Sequence, residues 1–211
     1  MIRNWQVNWF IHQAPKDGEK ESGDGYTVNE FSNGYLISVI DGLGHGKEAY
    51  IACHKIIDFL YSQTDIVWKR SLEELFISVN NILKGTRGVV MSSLFFDTKT
   101  GSIEWAGVGN VEGIVFHKDM TNEMKYERLV TQNGIIGFNL PHIYVKTIGP
   151  WMEVIFLFYT DGLSIFGQNI EILSYKIQYY SLQKIIKTIF DECRNPQDDA
   201  LIWVGKFSWI Q

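Results

Sequence analysis

The sequence predicts an α+β fold in which antiparallel sheets pack together and helices cover the outside. Two observations predict it: apolar segments with strand and helix periods succeed one another as strands, helices, strands, helix and strand, and tight-turn signals join neighbouring strands. The chain has 211 residues, of which 45% are hydrophobic, enough for one sizeable core. We therefore expect a single domain spanning residues 1–211.

The N-terminal part of the sequence predicts one strand followed by a hairpin. Residues 1–10 alternate large apolar and polar side chains, as a strand does. The turn signal at 33–34 separates two extended runs, 24–30 and 35–41, which predicts an antiparallel hairpin. This pairing would place Asp24, which opens the first run, beside Asp41, which closes the second.

Two helices follow the hairpin. Apolar residues recur at steps of three and four between 49 and 60, which predicts an amphipathic helix beginning after Gly46. A second helix is opened by the capping box Ser71-Leu72-Glu73-Glu74 and ends before Gly85.

The remaining elements are mostly strands. The pattern predicts a meander over 88–97, 102–108 and 111–117, strands at 125–130 and 143–148, an apolar strand at 154–159, a helix over 182–193 and a closing strand at 200–204. Between residue 161 and the helix at 182 the pattern assigns no element.

Composition excludes several classes of function. A net charge of −5 leaves no basic field to hold nucleic acid or an anionic membrane. The two cysteines lack zinc-knuckle spacing, and no apolar run approaches the ~20 residues of a membrane span. The N-terminus lacks the apolar block of a signal peptide. We therefore expect a soluble cytoplasmic protein whose partner is a protein or a small substrate.

Four aspartates stand at predicted strand ends. Two apolar runs stop on the same tripeptide, as Asp41-Gly42-Leu43 and as Asp161-Gly162-Leu163, whereas Asp24 and Asp198 precede strands. If neighbouring strands run antiparallel, the four carboxylates gather at one edge. The alternative is that each Asp-Gly pair is an ordinary turn or cap.

Gathered carboxylates would need counter-charge, because close like charges raise each other's pKa. Oxygen ligands without clustered His or Cys favour hard ions such as Mg²⁺ or Mn²⁺. Two ions sharing a water would generate a nucleophile and clamp a phosphoryl oxygen. The glycine-rich stretches lack the spacing of dinucleotide or Walker loops.

The ordered motifs resemble a known family. They are Gly23-Asp24, Asp41-Gly42-Leu43-Gly44-His45-Gly46, Thr86-Arg87-Gly88, Gly107-Val108-Gly109-Asn110, Asn133-Gly134-x-x-Gly137, Asp161-Gly162-Leu163 and Asp198-Asp199. Together they are similar to the PPM superfamily of metal-dependent serine/threonine phosphatases, and within it to the SpoIIE-like branch with its stressosome phosphatases. The resemblance spans residues ~20 to ~205 and its ordered set is specific, although each motif alone is weak.

The resemblance implies an αββα sandwich of two antiparallel β-sheets flanked by helices. It also implies two Mn²⁺ or Mg²⁺ ions, with Asp41 as bridging ligand and the Gly42 carbonyl completing one coordination sphere. Asp24 matches a ligand of the second ion, and Asp161 and Asp198 match ligands of the first. By this resemblance the catalytic residues are Asp41, Asp161 and Asp198, and metal-bound hydroxide attacks a phosphoserine or phosphothreonine.

Some residues depart from the eukaryotic pattern. The phosphate-gripping Arg of that branch is missing from the stretch before Asp24. Arg87 is a candidate for gripping the phosphate, and a surface or structural role is the alternative. Asp199 stands where the wider superfamily has Asn, and we expect it to support the metal ligands. His45 could act in catalysis or in local packing.

The leading hypothesis is therefore a protein phosphatase in a bacterial signalling module. The resemblance implies that its substrates are phosphorylated STAS-domain stressosome proteins of the RsbS/RsbR type, and we expect a monomer. Two alternatives stay open: a catalytically silent phosphatase-like binding module, and a two-metal hydrolase of small phosphoesters.

Overall fold

The computed structural model describes residues 4–63, 68–118, 121–165 and 170–210. Within them lie ten strands and four helices. They are β1 (Asn4–Ala14), β2 (Asp24–Phe31), β3 (Gly34–Gly42), α1 (Lys47–Tyr61), α2 (Leu72–Leu83), β4 (Val89–Asp97), β5 (Ile103–Val108), β6 (Glu112–Lys118), β7 (Met124–Leu129), β8 (Lys146–Ile148), β9 (Glu153–Tyr159), α3 (Ile170–Tyr179), α4 (Leu182–Cys193) and β10 (Ala200–Ile210).

The strands form two antiparallel five-stranded sheets. One, here called the hairpin sheet, has the order β2-β3-β4-β5-β8, and the other, the terminal sheet, has the order β1-β10-β9-β6-β7. Apolar residues of α1 and α2 pack on one face of the hairpin sheet, and those of α3 and α4 pack on the terminal sheet. The expected αββα sandwich is confirmed.

Aromatic side chains fill the space between the two sheets. Trp105 of the hairpin sheet stacks on Phe158 of the terminal sheet with ring centroids 5.2 Å apart. Phe158 in turn meets Trp203 edge-on at 5.5 Å. All three side chains are almost completely buried. This aromatic layer fixes the position of one sheet relative to the other, because close-packed interiors resist displacement.

The predicted helix starts are found in the structure. Ser71 Oγ accepts a hydrogen bond from Glu74 N, and Ser71 N donates to the Glu74 carboxylate, each at 3.1 Å. This completes the capping box that was predicted from the sequence. The first helix buries a stripe of small and apolar residues against the hairpin sheet, as its spacing predicted.

The prediction of a meander over residues 88–117 is wrong. β4 and β5 do pair, but β6 lies in the terminal sheet and pairs with β7 and β9. The chain leaves the hairpin sheet at Gly109, whose φ is +92°. A Cβ there would lie 2.1 Å from Val90 Cγ1, so only glycine fits this crossing.

Other elements also differ from the prediction. α3 was not predicted, because its mixed sequence of apolar, aromatic and polar residues gives a weak helical stripe. β10 continues to Ile210 because it pairs with β1 along its whole length. β8 is limited to Lys146–Ile148, where it pairs with β5. None of the helices in the described ranges is long and apolar enough to cross a membrane.

Candidate metal centre

The two sheets bring the predicted aspartates to one edge of the sandwich. In the hairpin sheet, Asp24 and Asp41 are register partners on β2 and β3. In the terminal sheet, Asp161 follows β9 and Asp198 precedes the neighbouring β10. A hydrogen bond from Thr160 Oγ1 to Asp24 Oδ2, at 2.7 Å, joins the two sheets at this edge.

An open cavity of about 420 Å³ lies at this edge. The side chains of Asp41, Asp161 and Asp198 line it, together with Asn110. Asp24 is 2% exposed and is not among the residues that line the cavity. Three of the four predicted acids therefore face a common solvent-accessible space, and the fourth lies beside them.

The cluster carries negative charge that the described protein does not balance. Burial, followed by the charges of Asp161, Asp198 and Asp199, raises the pKa of Asp41 well above its ordinary value. Burial and then the Asp41 charge do the same for the pKa of Asp24. In the described ranges, no ion pair joins any of these five acids to a lysine or arginine. Such a site attracts a cation.

The donor set fits a hard divalent ion. Carboxylate oxygens facing an open, polar cavity are the ligands that Mg²⁺ and Mn²⁺ prefer, with water filling the other positions. Among the described residues, no three Asp, Glu, His or Cys side chains are already close enough to hold a metal ion. Binding would therefore draw the carboxylates closer, as expected for groups that repel one another.

Close backbone packing requires the glycine of each Asp-Gly pair. A Cβ on Gly42 would lie 2.4 Å from the carbonyl oxygen of Ala49 in α1. A Cβ on Gly162 would lie 1.9 Å from the carbonyl oxygen of Asp199. Each glycine thus lets the chain pass against a neighbouring segment directly after its aspartate, which holds that aspartate at the edge.

Asp199 has a different environment from the cavity-lining acids. Its Oδ1 accepts a hydrogen bond from Lys16 N and its Oδ2 accepts one from Gly23 N, both at 2.8 Å. The residue is 3% exposed. Both oxygens fasten the segment that leads into β2, so Asp199 supports the position of Asp24.

His45 lies outside the cavity lining. Its Nδ1 is 2.5 Å from Glu19 Oε1 and its Nε2 is 3.0 Å from Lys16 Nζ. Its side chain is 48% exposed. These contacts attach the Gly44–Gly46 loop to the loop between β1 and β2.

Arg87 stands at the rim of the cavity. A Cβ on Gly44, which lines the cavity, would lie 2.9 Å from Arg87 Nη1. The guanidinium forms an ion pair with Glu48 in the first turn of α1, and both side chains are about half exposed or more. Arg87 is thus close enough to the cavity to meet a bound anion.

Two polar residues of the site were given no role in the sequence analysis. Burial and then the Asp198 charge raise the pKa of Asp161, and the hydrogen bond that Asn110 Nδ2 donates to Asp161 Oδ2 at 2.6 Å offsets part of this rise. Thr160 donates to Asp24 and accepts from Leu201 N at 2.9 Å. The Gly107–Asn110 motif pointed to the first residue, whereas no sequence signal pointed to the hydroxyl of the second.

This fold is similar to that of known proteins. The catalytic domain of the serine/threonine phosphatase PstP, solved with two manganese ions, matches with a TM-score of 0.71 at 12% identity, over 97% of this chain and 100% of that one. The architecture is therefore that of the PPM-type metal-dependent serine/threonine protein phosphatases. The family described as Stage II sporulation protein E (SpoIIE) matches residues 32–207, and the chain belongs to this SpoIIE family.

Two further solved structures are also similar. A structure described as "The bacterial stressosome: a modular system that has been adapted to control secondary messenger signaling" matches with a TM-score of 0.82 at 23% identity, over 95% of this chain and 99% of that one. RsbX in complex with magnesium matches with a TM-score of 0.79 at 20% identity, over 98% and 100%. No curated protein sequence matches the chain.

Proposed function

We propose that this chain is a divalent-metal-dependent phosphatase that removes phosphate from serine or threonine of a bacterial signalling protein. The observation that carries the proposal is the convergence of Asp41, Asp161 and Asp198 on one open cavity, where none of the described lysines or arginines forms an ion pair with them. Membership of the SpoIIE family supports it.

Each acid has a role in the proposed site. Asp41 would be a ligand shared by two ions, and the Gly42 carbonyl would complete the coordination of one of them. Asp161 and Asp198 would hold the first ion, and Asp24 would act on the side of the second. When bound, the ions would supply an activated water and positive charge for the phosphoryl group. Asn110 holds one oxygen of Asp161, which restricts the rotation of this carboxylate.

The substrate phosphate would enter between these acids and the rim. Arg87 offers a planar guanidinium suited to two phosphate oxygens, provided that it exchanges its Glu48 partner for the substrate. Hydrolysis forms a bond from the water oxygen to phosphorus and breaks the bond from phosphorus to the Ser or Thr oxygen, which takes up a proton. The acids that line the cavity are the available acceptors of the water's proton.

The proposed partners are phosphorylated STAS-domain proteins of a stressosome, of the RsbS/RsbR type, in the cytoplasm. The structural likeness to RsbX and to a stressosome structure supports this choice. A silent binding module is the second candidate from the sequence, and the presence of all four acids argues against it. A small-phosphoester hydrolase is the third.

The test measures phosphate release from a STAS-domain protein phosphorylated by its own kinase. With Mn²⁺ or Mg²⁺ we expect turnover, and chelator should abolish it. Asp41→Asn or Asp161→Asn should also abolish turnover while far-UV circular dichroism stays unchanged, because the change removes charge and keeps volume. Asp191→Asn, on the exposed surface of α4, is the matched control.

Full activity of either site variant, or of the wild type in chelator, would refute the metal-centre assignment. Nucleotide hydrolysis without phosphoprotein hydrolysis would favour the small-phosphoester alternative. Binding of the phosphoprotein without any phosphate release would favour the silent module.

A further inference from the structure

Phe138 is the most exposed of the large hydrophobic residues in the described ranges, at 85% of its surface. It stands on the connection between β7 and β8. An aromatic ring held in water is unfavourable unless a partner covers it, and aromatic residues are favoured as anchors of protein interfaces.

The turn that carries Phe138 is firmly held. Asn139 N donates to Ile135 O at 2.8 Å, and Ile135 N donates back to Asn139 O at 3.2 Å. Gly137 N donates to Asn80 Oδ1 of α2 at 2.8 Å. Gly137 has φ of +97°, and a Cβ there would lie 2.7 Å from Leu83 Cβ. The backbone therefore presents the Phe138 ring from a fixed position.

This turn directly borders the acidic cavity. Gly134 and Ile135 line the cavity, and Ile136 exchanges backbone hydrogen bonds with Val89 at the start of β4. Phe138 N donates to Ile135 O at 3.3 Å, which closes a turn whose first and last Cα atoms are within about 7 Å of one another. That distance is about two residues of extended polypeptide.

We propose that Phe138 is a specificity-determining anchor that packs against an apolar surface next to the phosphorylated Ser or Thr of a protein substrate. The inference rests on the proposed function and deepens it. Its occupant is a protein, because a phosphoryl group held at the acids leaves the ring uncovered unless the substrate continues outward over the turn. A small phosphoester does not extend that far.

The experiment compares two substrates across four proteins. The substrates are the phosphorylated STAS-domain protein and p-nitrophenyl phosphate, both with Mn²⁺. The proteins are the wild type, Phe138→Ala, Phe138→Leu and Tyr179→Ala. Tyr179 is a matched control because it is also strongly exposed, at 67%, but lies on α3 over the terminal sheet.

We expect Phe138→Ala to raise KM for the phosphoprotein about tenfold with little change in kcat, as for loss of an interface anchor. The ratio of kcat/KM for the phosphoprotein to that for p-nitrophenyl phosphate should fall by a similar factor. Phe138→Leu should recover most of the loss, and Tyr179→Ala should match the wild type.

Equal losses on both substrates would overturn the inference, because they indicate a structural role. An unchanged KM for the phosphoprotein in Phe138→Ala would also overturn it. Failure of the proposed function is distinguishable, since the wild type itself would then not hydrolyse the phosphoprotein.

Discussion

Thr160 shows how one hydroxyl ties the acidic edge together. It donates to Asp24 and accepts from Leu201 N, and it is fully buried. Its partner Asp24 lies 136 positions away in the sequence. Such a contact depends on the tertiary arrangement of two sheets, so the sequence offered no local pattern from which to predict it.

Replacing Thr160 with Val should lower the free energy of unfolding by about 2–4 kcal/mol, because a buried carboxylate loses a donor and Leu201 N loses its acceptor. Urea denaturation measures the change. Thr160→Ser keeps the hydroxyl and should lose clearly less. Equal stability of the Val variant and the wild type would contradict the role given to this hydrogen bond.

A substitution at Gly162 tests whether close packing explains the glycine of the second Asp-Gly pair. Gly162→Ala should destabilise the protein by about 3 kcal/mol, the upper end for an added methyl in a packed interior, because its Cβ would collide with the Asp199 carbonyl. Gly18→Ala adds the same methyl in open space and should cost only the left-handed backbone penalty of about 1–2 kcal/mol. Thermal denaturation compares them, and equal losses would argue against close packing as the cause.

At the scale of elements, local signals predicted most strands and three of the four helices in the described ranges. The capping box and the two apolar stripes were sufficient for α1 and α2, because those signals lie within a few residues of each other. Sheet membership was harder. β6 follows β5 after a short turn, and the chain changes sheets there, as the pairing of β6 with β7 and β9 shows.

The cap of α2 gives a prediction at this scale. Ser71→Ala should lower the free energy of unfolding by about 1 kcal/mol, since the backbone N–H of Glu74 loses its acceptor. Ser78→Ala on the same helix is the control, because Ser78 only bonds back to Glu74 O within the helix and should be near neutral. Urea unfolding of both variants measures the difference, and a Ser71→Ala variant as stable as the control would contradict the cap.

At the scale of the molecule, the sequence placed the acids at strand ends, and the structure brings them to one edge. The sequence could not show how exposed each acid is to solvent: Asp24 is buried, whereas Asp41, Asp161 and Asp198 line the cavity. Exposure depends on how two sheets and several loops close around each carboxyl, which is a property of the whole fold.

The unbalanced charge predicts how metal ions affect stability. Mn²⁺ should raise the thermal midpoint of the wild type, with about 3 kcal/mol of stabilisation at a hundredfold excess over Kd. Asp41→Asn should melt at a higher temperature than the wild type in chelator, because repulsion with Asp161 and Asp198 is relieved, and should gain little from Mn²⁺. Scanning calorimetry with and without Mn²⁺ measures both, and a wild type indifferent to Mn²⁺ would contradict the prediction.

The acids are divided evenly between the two layers of the sandwich. Asp24 and Asp41 belong to the hairpin sheet, while Asp161 and Asp198 flank strands of the terminal sheet. A small shear of one layer over the other would alter every spacing between the two pairs at once and leave the spacing within each pair unchanged. The stiffness of the aromatic layer around Trp105, Phe158 and Trp203 therefore governs how precisely the four carboxylates can be brought together.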